Sequence, residues 1–192
     1  EMKTPQPIVD INLFRHNAVF AFSNLAALIN YAATFAVTFL LSFYLQDIIA
    51  LTPQFAGLIL VAQPIVMAVF SPMIGRLSDR LEPRLLASWG MGFTLLGLIM
   101  LVFLDGQSAL LYILLCLTIL GFGFALFSSP NTNAVMSSVD RQVYGVASAT
   151  LSTMRQLGMT FSMGIVMMSM SMLLGKSAIS PGNHGLFLDS MR

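Results

Sequence analysis

The residues of this sequence that could bind a small molecule lie inside long apolar stretches. In the first such stretch, polar and aromatic side chains recur at intervals of seven, four, three and four residues, which places them on one helical face. They are Asn24, Tyr31, Phe35, Thr38 and Ser42. A wall of mixed aromatic and polar groups suits amphipathic organic molecules, so this face is predicted to line a substrate cavity. The alternative is that its amide and hydroxyl groups only form hydrogen bonds with neighbouring helices.

Two further polar residues within apolar stretches are candidates. Gln63 precedes Pro64, and its amide could bond a backbone carbonyl that the proline frees or bond a substrate; both interpretations stay open. Arg155 precedes an uncharged run of about 20 residues, about 30 Å of helix and a whole span. Arg155 is therefore predicted at the cytoplasmic interface, where its side chain reaches water. If the helix instead entered the membrane near Tyr144, Arg155 would lie about 16 Å deep and would need an acidic partner.

The sequence lacks the residue patterns of common enzyme sites. It contains no HExxH, GxSxG or GxxxxGK[ST] motif, and its one cysteine, Cys116, is expected to be a buried apolar residue. No enzymatic activity, metal site or cofactor is predicted. Three arginines in one short connector stand beside Asp79 and Glu82 and do not form a basic face, so no nucleic-acid partner is predicted either.

Long apolar stretches define the elements that must position these residues. Only 9% of the residues are charged and 57% are apolar, whereas about a quarter are charged in soluble domains. Five stretches reach the roughly 20 residues that a helix needs to cross a bilayer, approximately 17–46, 52–74, 85–104, 108–130 and 145–175. They lack the alternation of barrel strands. The fold class is therefore predicted to be an all-α membrane protein with five transmembrane helices.

Small residues recur four apart within and beside the later stretches. Gly121, Ala125 and Ser129 form one such series, and Gly145, Ala149 and Thr153 form another. Because small side chains let helix backbones approach closely, both series predict contacts between helices.

The distribution of arginines predicts the orientation in the membrane. Positive residues accumulate in cytoplasmic connectors, so the connector that contains Arg76, Arg80 and Arg84 is predicted to be cytoplasmic. Residues 1–16 then form a cytoplasmic linker, and residues 176–192 form an extracytoplasmic loop that leads to a missing sixth helix. The protein is expected in the plasma (inner) membrane as a multi-pass protein.

The same connector carries a family resemblance. Residues 75–84, GRLSDRLEPR, resemble the connector motif of the major facilitator superfamily, roughly G-x-L-a-D-r-x-G-r-k, and depart from it at Glu82 and Pro83. In that family the motif joins the second and third helices of each six-helix half, and the resemblance implies a gating loop. Its residues here are Gly75, Arg76, Asp79, Arg80 and Arg84. Asp79 would cap a helix end or pair with an arginine across the two halves, or it is simply a solvated carboxylate.

Two longer stretches within residues 44–158 are similar to a subgroup, the fourteen-spanner drug:proton antiporters of the EmrB/QacA type. The first holds YLQ at 44–46 and LTPQFAGL at 51–58, and the second holds GFG at 121–123, SP at 129–130, GVAS at 145–148 and RQLG at 155–158. The resemblance implies that the chain is most of the C-terminal half of a protein with twelve or fourteen spans. It also implies that the first, second, fourth and fifth helices line the cavity, and that most of the proton-binding carboxylates lie in the missing N-terminal half.

The predicted function is export of amphipathic drugs or other organic compounds by proton antiport and alternating access. The expected partners are a small organic substrate, protons, the lipid bilayer and the missing N-terminal half. One alternative is a transporter of the same fold for a sugar, organic acid or siderophore-like metabolite. Another is a membrane scaffold that transports nothing.

Overall fold

The computed structural model describes residues 11–106 and 108–174, and these ranges contain helices and short connectors without a strand. The helices are α1 (Ile11–His16), α2 (Ala18–Phe43), α3 (Pro53–Leu60), α4 (Ala62–Ser78), α5 (Pro83–Val102), α6 (Leu110–Ser137) and α7 (Tyr144–Leu174). Five residues of π-helix, Tyr44–Ile48, extend α2, and the 3-10 turn Arg141–Val143 precedes α7. The predicted loop at 176–192 and the first ten residues of the predicted linker lie outside the described ranges. The last six residues of that linker form α1.

Four helical segments of the described chain are long and apolar enough to cross a membrane, namely Ala18–Ile48, Pro53–Ser78, Pro83–Val102 and Leu110–Ser137. They overlap the first four predicted spans, whose bounds in the membrane stay predictions. The 31-residue helix α7 covers most of the fifth, and Arg155 is its only charged residue. Its passage through the membrane stays a prediction.

The prolines affect these helices in different ways. Pro64 lacks an N–H group to bond Leu60, and the helix is interrupted just before it, where α3 gives way to α4 at Val61. The hydrogen bonds Val61 N to Gly57 O (3.0 Å) and Ile65 N to Val61 O (3.1 Å) keep the two parts in line. Pro130, at the end of the fourth predicted span, lies inside α6, which continues to Ser137. Its single lost hydrogen bond is tolerated within a helix that is buried on both sides of it.

The helices pack as two groups that meet at α6. One group is α4, α5 and α6, the other is α2 with α7, and α2 also contacts α6. Glycines permit the close approaches: a Cβ on Gly90 of α5 would lie 2.5 Å from the Phe127 nitrogen of α6, and a Cβ on Gly121 of α6 would lie 2.5 Å from the Gln63 oxygen of α4. Between α7 and α2, a Cβ on Gly158 would lie 2.5 Å from the Leu28 oxygen. These backbones are therefore too close for any larger residue.

Candidate functional site

A cavity of about 540 Å³ opens between the helices on one side of the bundle. Its walls come from α2, α3, α4, α6 and α7, and α5 contributes none of the described residues that line it. Those residues are Tyr31, Thr34, Phe35, Thr38, Phe39, Ser42, Leu60, Gln63, Phe124 and Met163. Six of the ten belong to α2, so this helix forms the main wall.

The structure brings five of the six predicted cavity residues around this one space. Four of them, Tyr31, Phe35, Thr38 and Ser42, follow one face of α2, and Gln63 reaches the cavity from α4. This row of side chains, which we call the stripe, runs from Tyr31 towards the C-terminal end of α2 near Asp47. The cavity therefore lies beside the C-terminal half of α2.

Asn24, the sixth predicted residue, does not line the cavity. Its side chain is fully buried, and its Nδ2 donates a hydrogen bond to the Phe20 oxygen of its own helix at 2.9 Å. Phe20, Phe127 and Val135 belong to an apolar cluster that closes this half of α2. Asn24 therefore lies on the same face of α2 as the cavity residues, but two helical turns before Tyr31, where the cavity begins.

Five lining residues were not predicted, and the reason differs between them. Thr34 and Phe39 lie beside the stripe on α2, because the open face of the helix is wider than one row of side chains. Leu60, Phe124 and Met163 come from other helices, where their types are ordinary for a membrane span. Only the packing of those helices against α2 singles them out.

The polar groups of the wall differ in whether they already have partners. The Ser42 hydroxyl accepts a hydrogen bond from Gln46 Nε2 at 2.8 Å, and the Thr34 hydroxyl donates to the Asn30 oxygen at 2.7 Å. Within the described ranges, no hydrogen bond holds the Thr38 hydroxyl or the Gln63 amide. Gln63 thus does not bond a carbonyl freed by Pro64 in this structure. Its amide and the Thr38 hydroxyl are free to bond a ligand, as is the Tyr31 hydroxyl, which also has no hydrogen bond within the described ranges.

One end of the cavity is formed by an aromatic pair that joins two helices. Tyr31 of α2 and Phe124 of α6 meet edge to face, with ring centroids 5.2 Å apart and planes at 83°. Arg155 of α7 lies against the same ring, with its Cζ atom 5.6 Å from the Tyr31 centroid. Aromatic and cationic groups therefore meet where the cavity ends.

Arg155 is held between neighbouring helices. Its Nη2 donates a hydrogen bond to Thr132 Oγ1 of α6 at 2.8 Å, and its Nε is buried without a partner in the described chain. Because α7 begins at Tyr144, Arg155 lies eleven residues into the helix, about 16 Å along its axis. Its position relative to the membrane surface stays a prediction. The structure gives it a hydroxyl and a ring as partners, and not the acidic side chain that the deeper placement led us to expect.

The connector of the family motif joins α4 to α5 in a tight turn. The Leu77 oxygen accepts hydrogen bonds from the backbone nitrogens of Arg80 (3.0 Å) and Leu81 (2.9 Å), and α5 begins at Pro83. Proline is favourable at the first position of a helix, so the departure from the motif at this residue does not disturb the turn. The predicted gating residues are thereby placed at one end of the bundle.

The connector also packs against α6 through its two small residues. A Cβ on Gly75 would lie 3.3 Å from the Ser129 hydroxyl, and the buried Ser78 hydroxyl accepts a hydrogen bond from Asn133 Nδ2 at 3.2 Å. The charged residues of the motif point away from this contact. Arg76, Asp79, Arg80 and Arg84 are exposed and form no ion pair with any residue that the structure describes.

Asp79 does not cap a helix. It directly follows the last residue of α4, Ser78, where the helix dipole disfavours a negative charge, and no side chain caps the start of α5. Of its three predicted roles, pairing across the two halves and simple solvation remain. Among the described residues, no group of three or more His, Cys, Asp and Glu lies close enough together to hold a metal ion.

The sequence matches a known family over nearly its whole length. The family model of the Major Facilitator Superfamily covers residues 1–175. The chain belongs to the Major Facilitator Superfamily. The family predicted from the connector motif is thus confirmed, and with four membrane-length apolar helices the chain is part of a multi-pass membrane protein of a transporter family.

Similar proteins include transporters with different named cargoes. The chain is 32% identical over 169 residues to the riboflavin transporter RibZ of Clostridioides difficile, covering 88% of this chain and 36% of RibZ. It is 29% identical over 166 residues to the multidrug resistance protein Stp of Mycobacterium tuberculosis, covering 86% of this chain and 30% of Stp. With the lincomycin resistance protein LmrB of Listeria monocytogenes it shares 23% identity over 171 residues, 89% of this chain and 36% of LmrB. The chain thus spans about a third of the length of these relatives.

Proposed function

We propose that this chain forms the C-terminal half of a secondary active transporter that exports amphipathic organic compounds in exchange for protons. The observation that carries the proposal is the cavity of about 540 Å³, whose wall combines aromatic rings with unpaired hydroxyl and amide groups. Its volume lies within the roughly 300–1,000 Å³ of small-molecule sites. The relatives named as multidrug and lincomycin resistance proteins support drug-like cargo.

The arrangement of the helices fits alternating access. In this mechanism two bundles rock about a site between them, near the middle of the membrane. The cavity here is an open surface of one bundle, and its described lining comes from α2, the α3–α4 segment, α6 and α7. We infer that the other half of the polypeptide covers it, and that cargo binds between the two.

Proton coupling is assigned to the missing N-terminal half. The acidic residues that the structure describes are all exposed and lie at helix ends or in connectors: Asp47, Asp79, Glu82, Asp105 and Asp140. None of these lines the cavity. The carboxylates that take up and release the exchanged protons are therefore proposed to face this wall from the opposite bundle.

A second candidate keeps the fold and changes the cargo to a metabolite such as an organic acid. The position of Arg155 favours it, because a cation beside the cavity suits an acidic compound. The riboflavin transporter among the relatives shows that a protein similar to this chain is named for a metabolite.

The test is transport by the complete polypeptide in proteoliposomes with an imposed pH gradient, followed with a fluorescent amphipathic dye. We expect uptake that a protonophore abolishes. In Phe35→Ala the KM for the dye is expected to rise about tenfold, because truncation removes a partly exposed ring from the wall. Leu111→Ala is the matched control, since Leu111 is 77% exposed and lies away from the cavity. If the rate of dye uptake depends neither on the pH gradient nor on the side chain at position 35, the proposed function is contradicted and the membrane scaffold becomes the favoured alternative.

A further inference from the structure

Arg155 lies beside the aromatic end of the cavity, against Tyr31 but outside the residues that line it. On α7 it lies eight residues before Met163, with Met159 between them, so the three side chains follow one strip of the helix. Met163 and Tyr31 both line the cavity, and the Arg155 guanidinium contacts the Tyr31 ring. The side chain of Arg155 is only partly buried. Arg155 is therefore next to residues that line the cavity, and its side chain is partly exposed although its Nε is buried.

The charge of Arg155 has no counter-ion among the residues that the structure describes. Its contacts are the neutral Thr132 hydroxyl and the Tyr31 ring, and its Nε is buried without a hydrogen-bond partner. Thr132 Oγ1 itself donates to the Ser128 oxygen at 2.8 Å, so it offers Arg155 a single shared oxygen. A guanidinium has five N–H donors, and a charged group inside a membrane bundle needs compensation. The site is thus short of acceptor oxygens and of negative charge.

The nearby acidic side chains do not supply that charge. Asp47 and Asp105 lie at the end of the bundle where α2 and α5 finish, far along α2 from Tyr31. Asp79, Glu82 and Asp140 are exposed in the connectors at the other end. The negative group must come either from the cargo or from another part of the polypeptide.

We propose that Arg155 binds the anionic group of the cargo, and that the transported compounds combine an aromatic body with a carboxylate, sulfonate or phosphate. This inference rests on the proposed function and narrows its substrate class. The aromatic body lies against Phe35 and Phe124, and the anionic group reaches the guanidinium past the edge of Tyr31. The planar fork of arginine suits two oxygens of one anionic group, a geometry that lysine lacks.

The experiment compares two cargoes that differ only in charge, a naphthyl carboxylic acid and its primary amide, in proteoliposomes that contain the complete polypeptide. We expect wild-type protein to transport the acid with the lower KM. In Arg155→Gln the KM for the acid is expected to rise about tenfold or more, as for a lost charged hydrogen bond, while that for the amide changes less than about twofold. Arg141→Gln, which alters an exposed arginine in the turn before α7, is the control and leaves both values unchanged.

Different outcomes separate this inference from the proposed function. If Arg155→Gln impairs the acid and the amide equally, the charge pairs with the protein and not with cargo, and the inference is overturned. Gradient-driven transport of the amide with no preference for the acid also overturns it, while the proposed function stands. Transport of neither compound also overturns the inference, and only the absence of gradient-driven dye uptake in the same proteoliposomes contradicts the proposed function itself.

A second variant covers the case in which Arg155→Gln does not insert. Arg155→Lys keeps the positive charge but lacks the fork, so the KM for the acid is expected to rise by a smaller factor than in the glutamine variant. The KM for the amide stays at the wild-type value. An equal rise for both cargoes in Arg155→Lys would again overturn the inference.

Discussion

At the scale of single residues, Asn24 shows that a helical face can be polar without facing a ligand. Its Nδ2 bonds its own helix at Phe20, and its Oδ1 is buried without a hydrogen-bond partner in the described chain. A buried acceptor that lacks a partner costs about 1–3 kcal/mol. The buried Asn24 side chain therefore lowers the stability of the fold, and Asn24 makes no contact with the cavity that would explain why an asparagine is present.

Replacing Asn24 by leucine is expected to leave transport intact. Leucine is close in size and removes both polar atoms from an apolar environment, so the melting temperature of the purified complete protein should stay the same or rise slightly. Thermal unfolding followed by tryptophan fluorescence, together with dye transport, checks this. Loss of transport in a variant that melts normally would show that Asn24 acts on cargo after all.

The spacing of residues predicted most of the cavity wall but not its limits. Periodicity on α2 identified the face that holds Tyr31, Phe35, Thr38 and Ser42, because a helix repeats its direction every 3.6 residues. It gave no information on where along that face the neighbouring helices close, and Asn24 was misplaced for that reason. The contacts of Arg155 with Thr132 and Tyr31 were not predicted either, since a charge-free run indicates the length of a span and not which helices pack against its first residues.

At the scale of elements, small residues permit close packing only where a partner helix lies opposite. Gly121 contacts the backbone of α4, as its series of small residues predicted. Gly145 begins an equally regular series, yet a Cβ there would meet nothing within 4 Å. The sequence pattern is the same in both places, and only the arrangement of the helices distinguishes them.

Gly158 and Gly164 on α7 provide a direct comparison of this effect. A Cβ at Gly158 would lie 2.5 Å from the Leu28 oxygen and 3.0 Å from the Ala32 nitrogen, whereas one at Gly164 would meet nothing within 4 Å. Gly158→Ala must push α7 away from α2 and is expected to cost about 1–3 kcal/mol. Gly164→Ala should be neutral or stabilising by up to about 1 kcal/mol, because alanine favours helix. Melting temperatures in detergent measure both, and similar values for the two variants would contradict the close contact of α2 with α7.

The α4–α5 connector is expected to act in turnover and not in folding. Asp79 is exposed and forms no ion pair within the described ranges, so Asp79→Asn should leave insertion and melting temperature unchanged. If Asp79 pairs with an arginine of the other half in one state, the rate of transport falls by about tenfold. Glu82→Gln, an exposed carboxylate in the same turn, is the control and keeps the wild-type rate. An unchanged rate in Asp79→Asn would mean that its carboxylate is only solvated.

At the scale of the whole molecule, the apolar surface indicates which parts of the bundle need a cover. The α3–α4 segment is the least buried of the four apolar segments and exposes a row of large side chains: Leu58, Ile65, Val69 and Met73. A surface of this kind is stable against lipid or against another apolar bundle. The sequence predicted the number of long helices, because their apolar runs are separate. The sequence did not predict which helix packs against which neighbour or against lipid, since that depends on side chains of the other helices and not on the apolar run of the helix itself.

The arginines of the α4–α5 connector predict the orientation of the bundle in the membrane, and this prediction has a direct test. Leu81 in that connector and Ala109 at the start of α6 are both exposed, and they lie at opposite ends of the bundle. Cysteines placed at the two positions can be labelled with a membrane-impermeant maleimide, with little background from Cys116, which is buried. In intact cells that produce the complete polypeptide, with its other accessible cysteines replaced, we expect labelling at position 109 only. Position 81 should react after the membrane is permeabilised, because positively charged connectors stay in the cytoplasm. The reverse pattern would place the gating connector outside and would contradict its proposed role in closing the cytoplasmic side.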